Sequence, residues 1–117
     1  MDKPHKQLKA WQDAMDLCVT VYETTEGFPG HELYGLAGQM RRAGVSIPCN
    51  IAEGSARSSR KESAQFYNIA RASLSELDTQ IEISNRLKYI GPDSKRQLDA
   101  IMVDVDRCLY GLWKKKL

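Results

Sequence analysis

Histidine and cysteine are scarce in this chain: it has only His5 and His31, and three widely spaced cysteines, Cys18, Cys49 and Cys108. Neither histidine follows a glutamate by three residues, so the paired Glu-x-x-His motifs of di-iron helical bundles are absent. The cysteines form no CxxC pair, no Gly-rich phosphate loop occurs, and no nucleophile has a histidine base beside it. The sequence therefore predicts a non-enzymatic protein with no catalytic residue, metal site or cofactor.

The chain also lacks long apolar runs and a strong charge of either sign. No stretch has the length of a signal peptide or a membrane span, and an odd number of scattered cysteines is typical of a reducing compartment. We therefore expect a cytoplasmic protein that does not enter a membrane. The net charge of +2 is small for a dedicated nucleic-acid binder. A length of 117 residues predicts one domain spanning residues 1–117.

Apolar residues recur with helical periodicity in four segments, and no segment alternates as a strand does. The predicted helices span Gln7 to Thr25, Leu33 to Arg57, Ser58 or Ser59 to Tyr89, and Asp93 or Ser94 to the C-terminus. Breaks at Gly27–Gly30 and Gly91–Pro92 leave only short connections. The prediction is an all-α, up-down-up-down antiparallel four-helix bundle.

The apolar residues of the helices predict both a core and a contact surface. The first helix has Leu8, Trp11, Met15, Cys18, Val19 and Tyr22 on one face, and Ala10, Ala14, Leu17 and Val21 widen that face. The arc is wider than one bundle core needs, which predicts a partner subunit. The residues predicted to be buried are Trp11, Leu36, Ile47, Phe66, Leu77, Ile81, Val105 and Leu109.

The second predicted helix contains Pro48, a residue that normally ends a helix. The apolar phase of this segment is the same on both sides of the proline, so we predict one helix that bends there. The proline ring displaces the carbonyl four residues earlier, and Gly44 at that position has the most yielding backbone. A loop spanning residues 45–52 would contradict this prediction.

Asn50, Glu53 and Arg57 lie beyond the proline at the spacing i, i+3 and i+7, on one flank of the helix. In a structural interpretation, Glu53 pairs with Arg57 and Asn50 bonds a carbonyl freed near the bend. In a functional interpretation, the three form a polar contact surface for a second subunit or an anionic ligand. The sequence leaves both open.

The most basic part of the chain is the second helix and its exit, with Arg41, Arg42, Arg57, Arg60 and Lys61. These cations could be an ordinary solvated face. They could also contact nucleic-acid phosphates without reading bases, since no aromatic residues for stacking are interleaved. A symmetric ring would multiply this modest charge.

Three segments carry a family resemblance: FP-x-x-E-LYGL-x-x-Q-x-RRA, S-I-P-x-NIAEG-x-x-R, and F-x-x-x-A-R-x-S-L-x-EL. The chain resembles the four-helix-bundle proteins encoded by intervening sequences of bacterial 23S rRNA genes. That family includes the accessory variability determinant of diversity-generating retroelements. The matched positions are Arg41, Arg42, Pro48, Asn50, Glu53, Gly54, Arg57, Ser73, Glu76 and Leu77. Cys49 and Ala72 depart from the pattern.

The resemblance implies a bundle that assembles into a homopentameric ring. For the retroelement branch it also implies a basic surface that binds RNA or DNA and engages a reverse transcriptase. It transfers no catalytic role. The leading hypothesis is an oligomer that binds nucleic acid, structured RNA first, through phosphate contacts. The alternative is a protein–protein scaffold, such as a reverse-transcriptase partner, that does not touch nucleic acid.

Overall fold

Four long helices make up the structure, a computed structural model that describes all 117 residues. They are α1 (Lys9–Thr25), α2 (Leu36–Ser55), α3 (Arg60–Arg86) and α4 (Pro92–Lys115), with short 3-10 turns at Pro4–Gln7 and Gly30–Glu32. Helices α1 and α3 each pack against both α2 and α4, in a bundle with extents of 43 × 23 × 23 Å. The predicted all-α class and the number of helices are confirmed. None of the helices is long and apolar enough to cross a lipid bilayer.

All four helices have ends that differ from the prediction, since α1 begins at Lys9 rather than Gln7 and α4 ends at Lys115 rather than at the C-terminus. Helix α2 begins at Leu36 because the 3-10 turn and a further turn occupy the preceding residues, and it ends at Ser55 rather than Arg57. Helix α3 ends at Arg86 rather than Tyr89, because Lys88 adopts a left-handed conformation with a φ of 63°. The Tyr89 N–H then bonds the Ser84 carbonyl at 2.9 Å, a closure typical of helix C-termini.

Of the two predicted caps, the one at the start of α3 is confirmed for one of its two alternatives, and the one at the start of α4 is wrong. Ser59 caps α3, because its Oγ accepts a hydrogen bond from the Glu62 N–H at 3.2 Å. Neither Asp93 nor Ser94 caps α4, since that helix already begins at Pro92, which has no N–H to satisfy.

Pro48 lies within α2, as predicted, and the structure shows that it is buried there. It has no N–H to bond the carbonyl of Gly44 one turn earlier. A Cβ on Gly44 would lie 3.7 Å from the Cα of Cys18, an ordinary van der Waals contact. The proline therefore follows one turn after a point where α2 contacts α1.

The core contains most of the residues predicted for it. Ile47, Leu77, Ile81, Val105 and Leu109 are fully buried. The prediction is wrong for Trp11, Leu36 and Phe66, which are only half-buried at the edges of the core. On α3 the fully enclosed aromatic residue is Tyr67 rather than Phe66, because the Phe66 ring lies under the guanidinium of Arg57.

The side of helix α1 that faces the core is not the side predicted as its main apolar face. The core side consists of Ala10, Ala14, Leu17 and Val21, which were predicted only to widen the face. From the predicted main face, Val19 is 53% exposed and Tyr22 is 42% exposed. Val19 and Tyr22 instead form part of an outward apolar surface.

Candidate nucleic-acid interface

The predicted basic residues do not form one patch. Arg41 and Arg42 lie in the first half of α2, whereas Arg57, Arg60 and Lys61 lie at the connection from α2 to α3. At the helical rise of 1.5 Å per residue, about 20 Å separates the two groups. The structure therefore divides these cations between two ends of the bundle.

Arg41 is tied to the end of α1. Its Nε donates a hydrogen bond to Thr25 Oγ1 at 2.9 Å, and its guanidinium lies 4.9 Å from the centroid of the Tyr22 ring. Arg42 is exposed and forms no ion pair. Arg41 therefore has a structural role, and Arg42 is the free cation of this group.

Arg57 and Arg60 also have partners within the chain. Arg57 pairs with Glu53 and lies 4.8 Å from the Phe66 ring centroid. Arg60 donates a hydrogen bond to the carbonyl of Lys115 at 2.6 Å, which joins the start of α3 to the end of α4. Of the three cations at this connection, only Lys61 extends into solvent without a side-chain hydrogen bond or ion pair within the chain.

Further cations, which were not included in the predicted patch, lie at the same end of the bundle. Arg71 of α3 lies 4.1 Å from the centroid of the Trp113 ring, and Lys114 lies 5.9 Å from that of Tyr110. We define the basic end as Arg60, Lys61, Arg71, Lys114, Lys115 and Lys116. None of these residues forms an ion pair. The residues come from the first half of α3 and from the end of α4, so the packing of these two helices brings them together.

In the cluster of Asn50, Glu53 and Arg57, the last two residues form the ion pair of the structural interpretation. Asn50 does not form the hydrogen bond that this interpretation predicts. Its Nδ2 donates to the Ser46 carbonyl at 2.8 Å and to Ser46 Oγ at 3.0 Å, not to the carbonyl that Pro48 frees. Ser46 Oγ in turn lies 2.8 Å from Ser73 Oγ on α3. Asn50 and Ser73 therefore belong to a polar link between α2 and α3.

Gly54 and Leu77, two other matched positions, also lie where α2 packs against α3. A Cβ on Gly54 would lie 2.6 Å from the Tyr67 ring, and the Gly54 carbonyl accepts a hydrogen bond from Ser63 Oγ at 2.7 Å. Leu77 is fully buried. Of the matched residues on α3, only Glu76 faces solvent, where it accepts a hydrogen bond from Gln80 at 3.1 Å.

Carboxylates collect on the α3–α4 side, toward the end of the bundle opposite the basic end. Asp78, Glu82 and Asp99 lie close enough together to hold a cation. Lys95 already occupies this position, with its Nζ 2.7 Å from Glu82 and 2.5 Å from Asp99. These hydrogen bonds, the one to Asp99 first, raise the pKa of Lys95. The ammonium group thus supplies the positive charge that the carboxylates require.

Glu32 fastens the start of α2 to the end of α3, a role that the sequence did not reveal. Its Oε1 accepts a hydrogen bond from the Leu36 N–H at 3.2 Å, and its Oε2 accepts one from the Tyr89 hydroxyl at 3.0 Å. The bond from Leu36, followed by the one from Tyr89, lowers the pKa of Glu32. The same contact raises the pKa of Tyr89.

Comparison with known proteins establishes the fold family. A solved structure from Bacteroides thetaiotaomicron, a protein of unknown function from the S23 ribosomal protein family, superposes with a TM-score of 0.81 at 20% sequence identity. The match covers 90% of this chain and 95% of that chain. No curated protein matches the sequence. The family model for the 23S rRNA-intervening sequence protein matches residues 6–111. The chain therefore belongs to the 23S rRNA-intervening sequence protein family.

Proposed function

We propose that this protein is a non-enzymatic, ring-forming oligomer that binds nucleic acid, structured RNA first, through phosphate contacts. The observation that carries the proposal is the basic end, where cations from α3 and α4 gather without carboxylate partners. Exposed, unpaired Lys and Arg side chains bind phosphate by releasing condensed counterions, so they need no base-specific geometry.

The placement of two of these cations also favours an anionic partner. Arg60 and Lys61 occupy the first turn of α3, where the helix dipole is positive and a cation is unfavourable. Glu62 in the same turn offsets part of this cost, and Arg60 bonds the Lys115 carbonyl, whereas the Lys61 side chain makes no contact of its own. A phosphate beside Lys61 would interact favourably with both the side chain and the helix terminus.

Two further surfaces support self-assembly. The groove between α1 and α2 combines apolar residues with cations, and its lining includes Tyr22, Leu33, Tyr34, Arg41, Arg42 and Val45. The acidic groove between α3 and α4 combines apolar residues with carboxylates, and its lining includes Leu74, Asp78, Glu82, Asp99, Met102, Val103 and Asp106. Because α1 and α3 occupy opposite corners of the bundle, these two grooves lie on opposite sides.

Such opposite and complementary surfaces suit head-to-tail contacts between copies, which close into a ring when the rotation allows. Val103 in the acidic groove is 55% exposed and Tyr22 in the α1–α2 groove is 42% exposed, so the contact would bury apolar area. We propose up-down-up-down helices, a bend at Pro48 and a homopentameric ring. All basic ends would then lie on one rim, where their charges add.

The proposal is tested by measuring the affinity for a fluorescent RNA as a function of salt concentration. We expect affinity to fall steeply with salt, and the slope to become shallower when Lys114, Lys115 and Lys116 are all changed to Glu. The matched control changes Arg86, Lys88 and Arg96 to Glu, because these cations lie toward the opposite end. If no RNA or DNA binds at low ionic strength, the proposed function is wrong.

The exposed apolar surface of α1 also favours a second function, that of a scaffold for another polypeptide. A partner captured equally well after nuclease treatment, and by the variant in which Lys114, Lys115 and Lys116 are changed to Glu, would support the scaffold. Loss of capture on nuclease treatment would support nucleic-acid binding instead.

A further inference from the structure

An aromatic cluster adjoins the cations of the basic end. The rings of Tyr110 and Trp113 are 5.8 Å apart and inclined at 48°, side by side on α4. The guanidinium of Arg71 lies 4.1 Å from the Trp113 centroid and 5.5 Å from that of Tyr110. The sequence did not reveal this cluster, because Arg71 and the two rings lie on different helices.

These rings are not part of the core. Helix α4 buries Leu98, Met102, Val105 and Leu109, whereas Tyr110 is 44% exposed. A guanidinium over an aromatic ring is a favourable contact, which accounts for Arg71 lying over Trp113. Lys114, one helical turn after Tyr110, places a second cation 5.9 Å from the centroid of the exposed Tyr110 ring.

Arg71 is held in place but its hydrogen-bonding capacity is largely unused. Its one hydrogen bond within the chain is a long contact of 3.4 Å to Asn68 Oδ1, and it has no carboxylate partner. A guanidinium stacked on a ring keeps the donors in its own plane free for a phosphate. Arg71 is therefore oriented in advance toward an anion.

A cleft continues from this cluster toward the start of α3. Its lining includes Arg60, Lys61, Asn68, Trp113 and Lys116 but no acidic side chain. In the other direction, the acidic groove with Asp78 and Asp106 would repel a phosphate chain. The surface that can accept a polyanion is therefore short, and it contains both cations and an exposed aromatic ring.

We propose that this cleft and the aromatic cluster that adjoins it at Trp113 together bind a short single-stranded RNA segment. An unpaired base stacks on Tyr110, and the adjoining phosphates contact Arg71 beside the cluster and Lys61 and Lys116 in the cleft. A duplex keeps its bases stacked on one another and cannot offer a base face to the ring. The inference rests on the proposed nucleic-acid function and narrows it to unpaired RNA, such as a loop. It replaces the expectation from sequence that no stacking surface accompanies the cations.

The test compares the binding of oligouridylate with that of a duplex RNA of equal length. It uses the full chain with Trp11→Phe, so that all tryptophan fluorescence comes from Trp113. We expect oligouridylate to quench Trp113 fluorescence and to bind more tightly than the duplex. Tyr110→Ala should weaken oligouridylate binding about 5- to 150-fold, since stacking on an aromatic ring contributes about 1–3 kcal/mol per base. Tyr110→Phe, which keeps the ring, should bind like the parent.

Charge and stacking are separated by a second pair of variants. Arg71→Ala should weaken binding and flatten its salt dependence, whereas Arg86→Ala on the same helix should change neither. If single strands and duplexes bind alike and Tyr110→Ala retains full affinity with native helicity, the stacking site is wrong although the proposed function stands. If the parent protein binds neither RNA, both the proposed nucleic-acid function and this inference are wrong.

Discussion

Gly54 on α2 and Tyr67 on α3 approach so closely that a Cβ on Gly54 would lie 2.6 Å from the ring. The backbone carbonyl oxygen of Ser63 would also be 3.1 Å away, so movement of the ring alone would not make full room for a methyl group. We predict that Gly54→Ala destabilises the fold by about 1–3 kcal/mol through overpacking. Chemical denaturation of the purified protein measures this change.

Gly111→Ala is the matched control for Gly54→Ala. Gly111 also lies inside a helix, but nothing is within 4 Å of the position of its Cβ. Alanine there should stabilise the protein by about 0.5–1 kcal/mol, because glycine is the poorer helix former. Equal responses at the two positions would show that α2 and α3 are not closely packed at Gly54.

The hydroxyls of Ser46 and Ser73 link α2 to α3 at 2.8 Å. We predict a coupling energy of about 0.5–1.5 kcal/mol in a double-mutant cycle with Ser46→Ala and Ser73→Ala, as expected for a partly buried hydrogen bond. Ser75→Ala, on the exposed side of α3, should change stability little. A coupling energy of zero would mean that the two hydroxyls do not interact in solution.

The periodicity of the sequence was sufficient to predict the helices, the breaks between them and much of the core. It failed on α1, because Leu17 and Val19 are both apolar and periodicity alone cannot decide which of them faces the neighbouring helices. It failed on the basic surface for a different reason. Arg71 contacts Trp113 only because α3 packs against α4. The spacing of residues within either helix does not predict this contact.

Gln80 is buried and its Oε1 has no hydrogen-bond partner. A buried polar atom without a partner costs about 1–3 kcal/mol. We predict that Gln80→Met, a change of similar volume, leaves stability unchanged or raises it by up to about 1 kcal/mol. Thermal and chemical denaturation should agree on the sign, and a clear loss of stability would show that Oε1 is satisfied in solution.

The lowered pKa of Glu32 predicts a loss of stability in acid. A carboxylate whose pKa falls below its ordinary value of 4.5 on folding stabilises the native state above that pH. This stabilisation disappears as the pH falls through the lower pKa of the folded state. We therefore expect Glu32→Gln to be less stable than the parent at neutral pH and nearly equal to it in strong acid.

Tyr89→Phe provides the control for Glu32→Gln. It removes one of the two donors to the carboxylate and leaves the bond from Leu36, which is the larger cause of the shift. The acid dependence should therefore weaken but persist in Tyr89→Phe. Stability curves of parent and Glu32→Gln that run parallel from neutral to acid pH would contradict this role for Glu32.

The basic ends of several copies can lie on one rim only if the protein self-assembles. Light scattering tests self-assembly most directly. We predict that the purified protein at high micromolar concentration has a mass several times the 13.2 kDa of one chain. Reversing charge in the acidic groove with Asp78→Lys and Asp106→Lys should lower that mass. A parent protein that scatters as a single 13.2 kDa chain at every concentration would contradict the proposed ring.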